Sequence, residues 1–200
     1  MASLCEDLLL LAIDPASGVV RNWSRLNIAL AGAELAQLQE AGRIDVSAGR
    51  IVVTGPAAMT TGDPDLDATL ARLASCSQPP RLLAFVGRHR ANVVNSYLAR
   101  LSGAGFVQHQ GGRWFGQRWP VTDQSRLASA RAPLDAVAFG AGDFSSAQAV
   151  LAGLVQAVGI ARSLYPGRQN RAVRVRLRQI AKSHWAVEAV RSAIAASESH

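Results

Sequence analysis

Residues 105–120, Gly-Phe-Val-Gln-His-Gln-Gly-Gly-Arg-Trp-Phe-Gly-Gln-Arg-Trp-Pro, carry the densest chemistry in the chain. Trp114, Phe115 and Trp119 stand among Arg113 and Arg118. That mixture suits a border between apolar matter and phosphate, because indole rings favour polar–apolar boundaries and guanidinium forks match phosphate oxygens. The segment predicts a β-hairpin: Phe106-Val107 enters, Gly111-Gly112 turns, Arg113–Trp119 returns, and Pro120 marks the exit because it cannot donate to a ladder. Alternation puts Trp114 and Phe115 on opposite faces, so one arm offers large apolar groups to both sides. The helical body, another subunit or a lipid headgroup layer must cover one of them. Two readings stand. The aromatics plug the hairpin onto the core, or they serve membrane contact and homo-oligomerisation.

A second basic feature lies near the C-terminus. Arg171, Arg174, Arg178 and Lys182 fall at i, i+3, i+7 and i+11, one stripe along a helix. Such a stripe is an ordinary solvated face or the footprint of an anionic partner. The charge distribution sharpens the question. The net +7 divides into five basic and nine acidic residues over 1–80, net −4, and sixteen basic and five acidic over 81–200, net +11. Twenty of the twenty-one cations are arginine. A basic half points to nucleic acid or acidic lipid.

Catalytic chemistry is not signalled. The chain carries no phosphate-binding loop, zinc-protease motif, nucleophile elbow or dinucleotide fingerprint, and His89, His109, His184 and His200 lack metal-ligand spacing. Asp63, Asp65 and Asp67 have the spacing of a calcium loop but not its glycine, and Ala74 stands where the bidentate acid belongs. They read better as a helix start, with Asp63 capping and Pro64 in the first turn. No cofactor, no metal and no enzymatic activity are expected. Cys5 and Cys76 have no CxxC partner, which fits a reducing compartment. The longest apolar run, Leu8–Ile13, is too short to span a bilayer or serve as a signal, so a cytosolic protein is expected.

The elements that must position these residues follow from periodicity. Ser3-Leu4-Cys5-Glu6 has capping-box spacing and opens an apolar helix through Ile13; Asp14–Gly18 turns the chain. Ser24 is the expected N-cap of a helix to Ala41, in which Gly32 allows a neighbour to approach closely. Residues 43–54 alternate as a β-hairpin, apolar at Ile44, Val46, Ile51 and Val53. Helices are expected over 81–103 (Leu83, Val86, Val93, Tyr97 and Leu101 on one side), from Asp123 to Ala132, from Pro133 to Gly140, over the apolar stretch 145–163, and through one last basic stretch after Tyr165-Pro166-Gly167. The expectation is a mainly α, single globular domain over residues 1–200 with a central apolar helix and two β-hairpin excursions.

Several ordered motifs then carry a resemblance. Glu6–Asp14, Trp23 before Leu30-Ala31-Gly32-Ala33-Glu34-Leu35, Gly42-Arg43-Ile44, Gly62–Asp67 and Gly105-Phe106-Val107 with the hairpin ending at Pro120 occur in the order and spacing of the Golgi phosphoprotein 3 family. The resemblance covers roughly residues 4–195, and the short N-terminus resembles the bacterial branch. It implies a predominantly helical peripheral membrane protein. Eukaryotic members bind phosphatidylinositol 4-phosphate and act as adaptors for cytosolic tails of membrane proteins, with the hairpin implicated in oligomerisation and membrane contact. The family's headgroup pocket uses one Trp, which matches Trp23, and a few arginines. The helix arginine falls on Ala31 here, and a later pair falls near Ala91 and Val94; Arg25, Arg88 and Arg90 are the candidates to stand in. The competing reading is a nucleic-acid-binding helical domain that uses the C-terminal arginine stripe. Charge alone supports it, and duplex binding has no need of the tryptophan hairpin.

Overall fold

The computed structural model describes residues 3–55, 60–88, 93–112, 115–140, 143–180 and 184–199. Two helices organise them. Helix α2 (Trp23–Glu40) and helix α7 (Ser146–Val158) pack together, and α10 (Trp185–Ser197) crosses both. The crossings depend on glycine. A Cβ at Gly32 would lie 2.3 Å from Val190 Cγ2, and one at Gly153 would lie 2.5 Å from Val187 Cγ2, so α10 sits closer to both helices than alanine allows. Around this centre lie α1 (Leu4–Ala12), α3 (Pro64–Ala74), α4 (Leu82–Gly87), α5 (Val93–Gly103), α6 (Gln124–Phe139), the short α8 (Ala161–Leu164) and α9 (Arg171–Ile180). Ten helices and two antiparallel hairpins, β1 (Ile44–Ser47) with β2 (Arg50–Val53) and β3 (Gln110–Gly112) with β4 (Phe115–Arg118), make up the described residues. The mainly α architecture with a central apolar helix and two hairpins is therefore the observed one.

Local chemistry accounts for the starts and stops. Asp63 caps α3 by accepting from the N–H groups of Asp65 and Leu66, and Ser145 with Gln148 forms a reciprocal capping box on α7. The β1–β2 register, Ile44 opposite Val53 and Val46 opposite Ile51, puts Ile44 and Ile51 into the core. Glu34, buried in α2, accepts from the Thr69 hydroxyl at 2.7 Å and the Tyr97 hydroxyl at 3.3 Å. Burial and the neighbouring acid raise the Tyr97 pKa, which keeps it a donor.

Several expectations are corrected. Ser3 precedes α1 but makes no side-chain cap; its hydroxyl donates to Gln37. Helix α2 starts at Trp23 instead of after Ser24, because Asn22 takes the left-handed conformation that Asn tolerates. Residues 81–103 form two helices, α4 and α5, and Leu83 is exposed. One helix, α6, runs through Pro133, which leaves one backbone acceptor unpaired but keeps Ala130, Leu134 and Val137 buried on a single face. The final basic stretch is likewise two helices, α9 and α10.

Candidate functional site

The start of α2 is tied to the ends of two other helices. Asn22 Nδ2 donates to the Val158 carbonyl at 2.8 Å, and Gly159, at φ 86°, closes α7 beside it. Arg25 Nε bonds Glu198 Oε1 at 2.6 Å, and its guanidinium lies against Gly159. A cation at the carbonyl ends of α7 and α10 complements both dipoles. Arg25 is thus already partnered by protein. Trp23 is half-buried and packs against the core.

Arg88 is exposed at the end of α4 and lines a groove of about 290 Å³ with Arg72, Cys76 and Phe85. Arg72 stacks over the Phe85 ring at 5.0 Å. Among the described residues, no hydrogen bond, ion pair or ring contact joins Arg88 to Trp23 or Arg25; Arg90 lies outside those residues. Helix α5 instead reaches α2 through the Val94 N–H, which donates to Asn27 Oδ1 at 3.2 Å. Val94 and Ala31, where the resemblance puts arginines, are 0% and 4% exposed. At these two positions the chain places buried apolar side chains, and Ala91 lies outside the described residues.

The hairpin departs from expectation at both ends. Gly112 pairs with Phe115, so Gly111 and Gly112 are strand residues in an irregular register, not the turn. Arg113, Trp114 and the Phe115 side chain lie outside the described residues. Arg118 is exposed. Trp119 is 9% exposed and belongs to the core cluster. Its N–H donates to the Gly18 carbonyl at 2.6 Å and its ring lies 4.5 Å from His109. For Trp119 the plug reading holds, because Val107 pairs with Val121 and draws the foot of the hairpin onto the α1–α2 turn. Its indole N–H finds no partner among the described residues.

On α9 the stripe is divided. Arg171 and Arg178 are exposed. Arg174 folds back, donating to the carbonyls of Tyr165 at 2.5 Å and Gly167 at 2.9 Å, and so fastens the preceding turn. Lys182 lies outside the described residues. The missed residue is Arg176. It lines a groove of about 640 Å³ between the end of α6 and α9, with Phe139, Phe144, Val173 and Ile180. Two signals in the chain pointed there: Phe139 and Phe144 bracket a Gly-containing loop, and residues 144–187 contain seven cations and no acid. Among the described residues, the side chains of Arg162, Arg168, Arg171, Arg176 and Arg178 make no hydrogen bond or ion pair. The described residues include no group of three metal-ligating side chains and no helix long and apolar enough to cross a membrane.

No curated protein matches the chain. The family model of Golgi phosphoprotein 3 (GPP34) matches residues 4–197, and the ten-helix architecture, the β1–β2 hairpin and the Pro120-terminated hairpin lie within that span. The chain belongs to the Golgi phosphoprotein 3 family.

Proposed function

We propose that this protein is a cytosolic, non-enzymatic peripheral membrane protein that docks on anionic phospholipid through its basic C-terminal half, with residues 1–200 acting as one domain. The observation that carries the reading is the acid-free stretch 144–187, whose exposed arginines have no internal partner among the described residues. Unneutralised guanidinium groups on a folded surface attract headgroup phosphates by about 1 kcal/mol each near an acidic leaflet. Family membership supports the membrane reading. The apolar environment of Ala31 and Val94 and the pairing of Arg25 with Glu198 favour recognition of acidic charge in general over one phosphoinositide headgroup. Arg88, beside Arg72, remains available to a phosphate. The hairpin, through Trp114 and Phe115, contributes membrane contact or homo-oligomerisation, and an adaptor role toward cytosolic tails of membrane proteins completes the proposal.

The test is co-sedimentation with vesicles of phosphatidylcholine alone and with phosphatidylserine, at low and high salt, with duplex DNA as competitor. Binding that requires the acidic lipid and weakens with salt is expected, since attraction fades beyond a Debye length of about 8 Å at physiological ionic strength. Equal binding to neutral vesicles would defeat the electrostatic reading. Displacement by DNA at comparable concentration would favour the nucleic-acid alternative. That alternative is weakened by Arg174, which leaves the stripe to hold its own turn.

A further inference from the structure

The described surface carries six large exposed apolar side chains, and two of them, Phe139 at 61% and Phe144 at 38%, line one groove, while Val175, 42% exposed, stands on α9 outside its lining. Val19, Val52 and Leu83 belong to other elements and are the scattered exposure any surface shows. The groove lies where α6 ends, where the chain leads into α7, and on α9. At about 100° per residue, Ala172, Arg176 and Gln179 share the groove side of α9 above Val173 and Ile180, which line its floor, while Val175 stands at the edge and Arg171 and Arg178 lie beyond it. The result is an apolar groove with Arg176 in its lining and Arg171 and Arg178 farther round α9. Leu177 alone on α9 is fully buried, so the helix is half committed to the core and half free.

We propose that this α6–α9 face is the surface that meets the membrane, with Phe139 and Phe144 entering the boundary between headgroups and acyl chains and Arg171, Arg176 and Arg178 resting on lipid phosphates. The inference rests on the lipid-binding reading and adds the face. Charge complementarity selects the occupant, since the side chains of Arg171, Arg176 and Arg178 have no partner among the described residues and outnumber Asp143, the exposed acid beside Phe144. Shape agrees. A peptide-binding groove fixes its ligand with precisely placed polar groups around an enclosed apolar pocket. Among the described residues the polar lining is Arg176 and Gln179 alone, and Phe139, though it lines the groove, is 61% exposed. A fluid boundary needs no such fixed complement, and apolar side chains with arginines beside them are what an interfacial helix presents. Phe139 also rests edge-on against Tyr165 at 5.8 Å, which holds the ring in place at the surface.

The experiment compares three proteins on phosphatidylcholine–phosphatidylserine vesicles: the wild type, Phe139→Ser with Phe144→Ser, and Leu83→Ser as an exposed apolar control. The double variant should keep its helical circular dichroism and bind at least about tenfold more weakly, because two partly inserted aromatics are lost; Leu83→Ser should bind like the wild type. A second variant, Phe144→Trp, guards against a folding defect, and brominated acyl chains should quench its added fluorescence. If the wild type ignores acidic vesicles, the lipid reading and this face fall together. If the wild type binds but both Phe variants bind equally and the added tryptophan is not quenched, only the face is overturned. The face is overturned as well if Trp114→Asp abolishes binding while the double Phe variant retains it.

Discussion

Arg100 and Arg126 sit among four carboxylates, whereas Arg171, Arg176 and Arg178 face none among the described residues. Arg100 bonds Asp63 at 2.7 Å, Asp65 at 3.2 Å and Glu6. Arg126 reaches Glu6 at 3.3 Å and Asp7 at 2.7 Å, the latter close in distance but poorly aligned as a hydrogen bond. These acids of the first half are therefore consumed inside the molecule by two arginines of the second. Burial raises the Asp7 pKa against the pull of Arg126, so this pair is held by the fold more than it holds the fold. On α9, by contrast, Arg171, Arg176 and Arg178 meet no carboxylate among the described residues. Net charge by halves describes both regions alike; only the pairing tells a structural cation from one available to a partner.

The contrast can be broken most severely from the paired side. Arg126→Ala strands Asp7 and Glu6, with the Arg126 side chain only 11% exposed, and should lower unfolding stability by about 3–5 kcal/mol in a urea titration. Comparable in size, Val94→Arg would bury an unpaired guanidinium at a fully buried core site and should destabilise by several kcal/mol (about 3 or more). A Val94→Arg protein of unchanged stability would show that the apolar pocket opens readily. From the unpaired side, Arg171→Ala with Arg178→Ala should leave the unfolding midpoint nearly unmoved, within about 0.5 kcal/mol. Acidic-vesicle binding should weaken by about 2 kcal/mol. Loss of stability in that variant would erase the distinction between the two groups.

The smallest effect concerns His184, at the start of α10. Its Nδ1 accepts from the Ala186 N–H at 3.2 Å, and burial holds its pKa below the ordinary 6.5. The unfolded chain takes up the proton first, so stability present above pH 6.5 is lost as the pH falls through and below that value. His184→Asn can still cap the helix without titrating, and should flatten this part of the pH dependence. A slope unchanged by the substitution would assign it to groups other than His184.

Much of this architecture was legible where a short-range signal decides the outcome. Asp63-Pro64 announced a capped helix, and alternation at Ile44, Val46, Ile51 and Val53 announced the first hairpin. Gly32 announced a close crossing, though not that α10 would make it. What escaped depends on distant partners. Nothing beside Trp119 indicates that the Gly18 carbonyl will receive its N–H, so period-two reasoning could not tell plug from anchor. Arg174 fits the stripe by spacing, yet bonds carbonyls seven and nine residues earlier. Pro133 stops a helix by local rule, but burial of Leu134 and Val137 carries α6 past it. The face at Phe139 and Phe144 joins two segments whose spacing follows no single period.

The foot of the second hairpin has a mechanical consequence. A Cβ on Gly18 would lie 2.7 Å from the Pro120 nitrogen, and Gly18 sits at φ 68°, so two backbones touch there with no side chain between them. Such a joint has little play. The β3–β4 arm extends about 10 Å beyond it, taking three strand residues at about 3.3 Å each, and behaves as a lever whose pivot is Gly18. A small tilt at the pivot becomes a larger sweep at the tip, and load applied to the tip is borne by the α1–α2 turn. Gly18→Ala would loosen the bearing, so that whatever the tip touches would be met at a changed angle while its surface chemistry stayed the same.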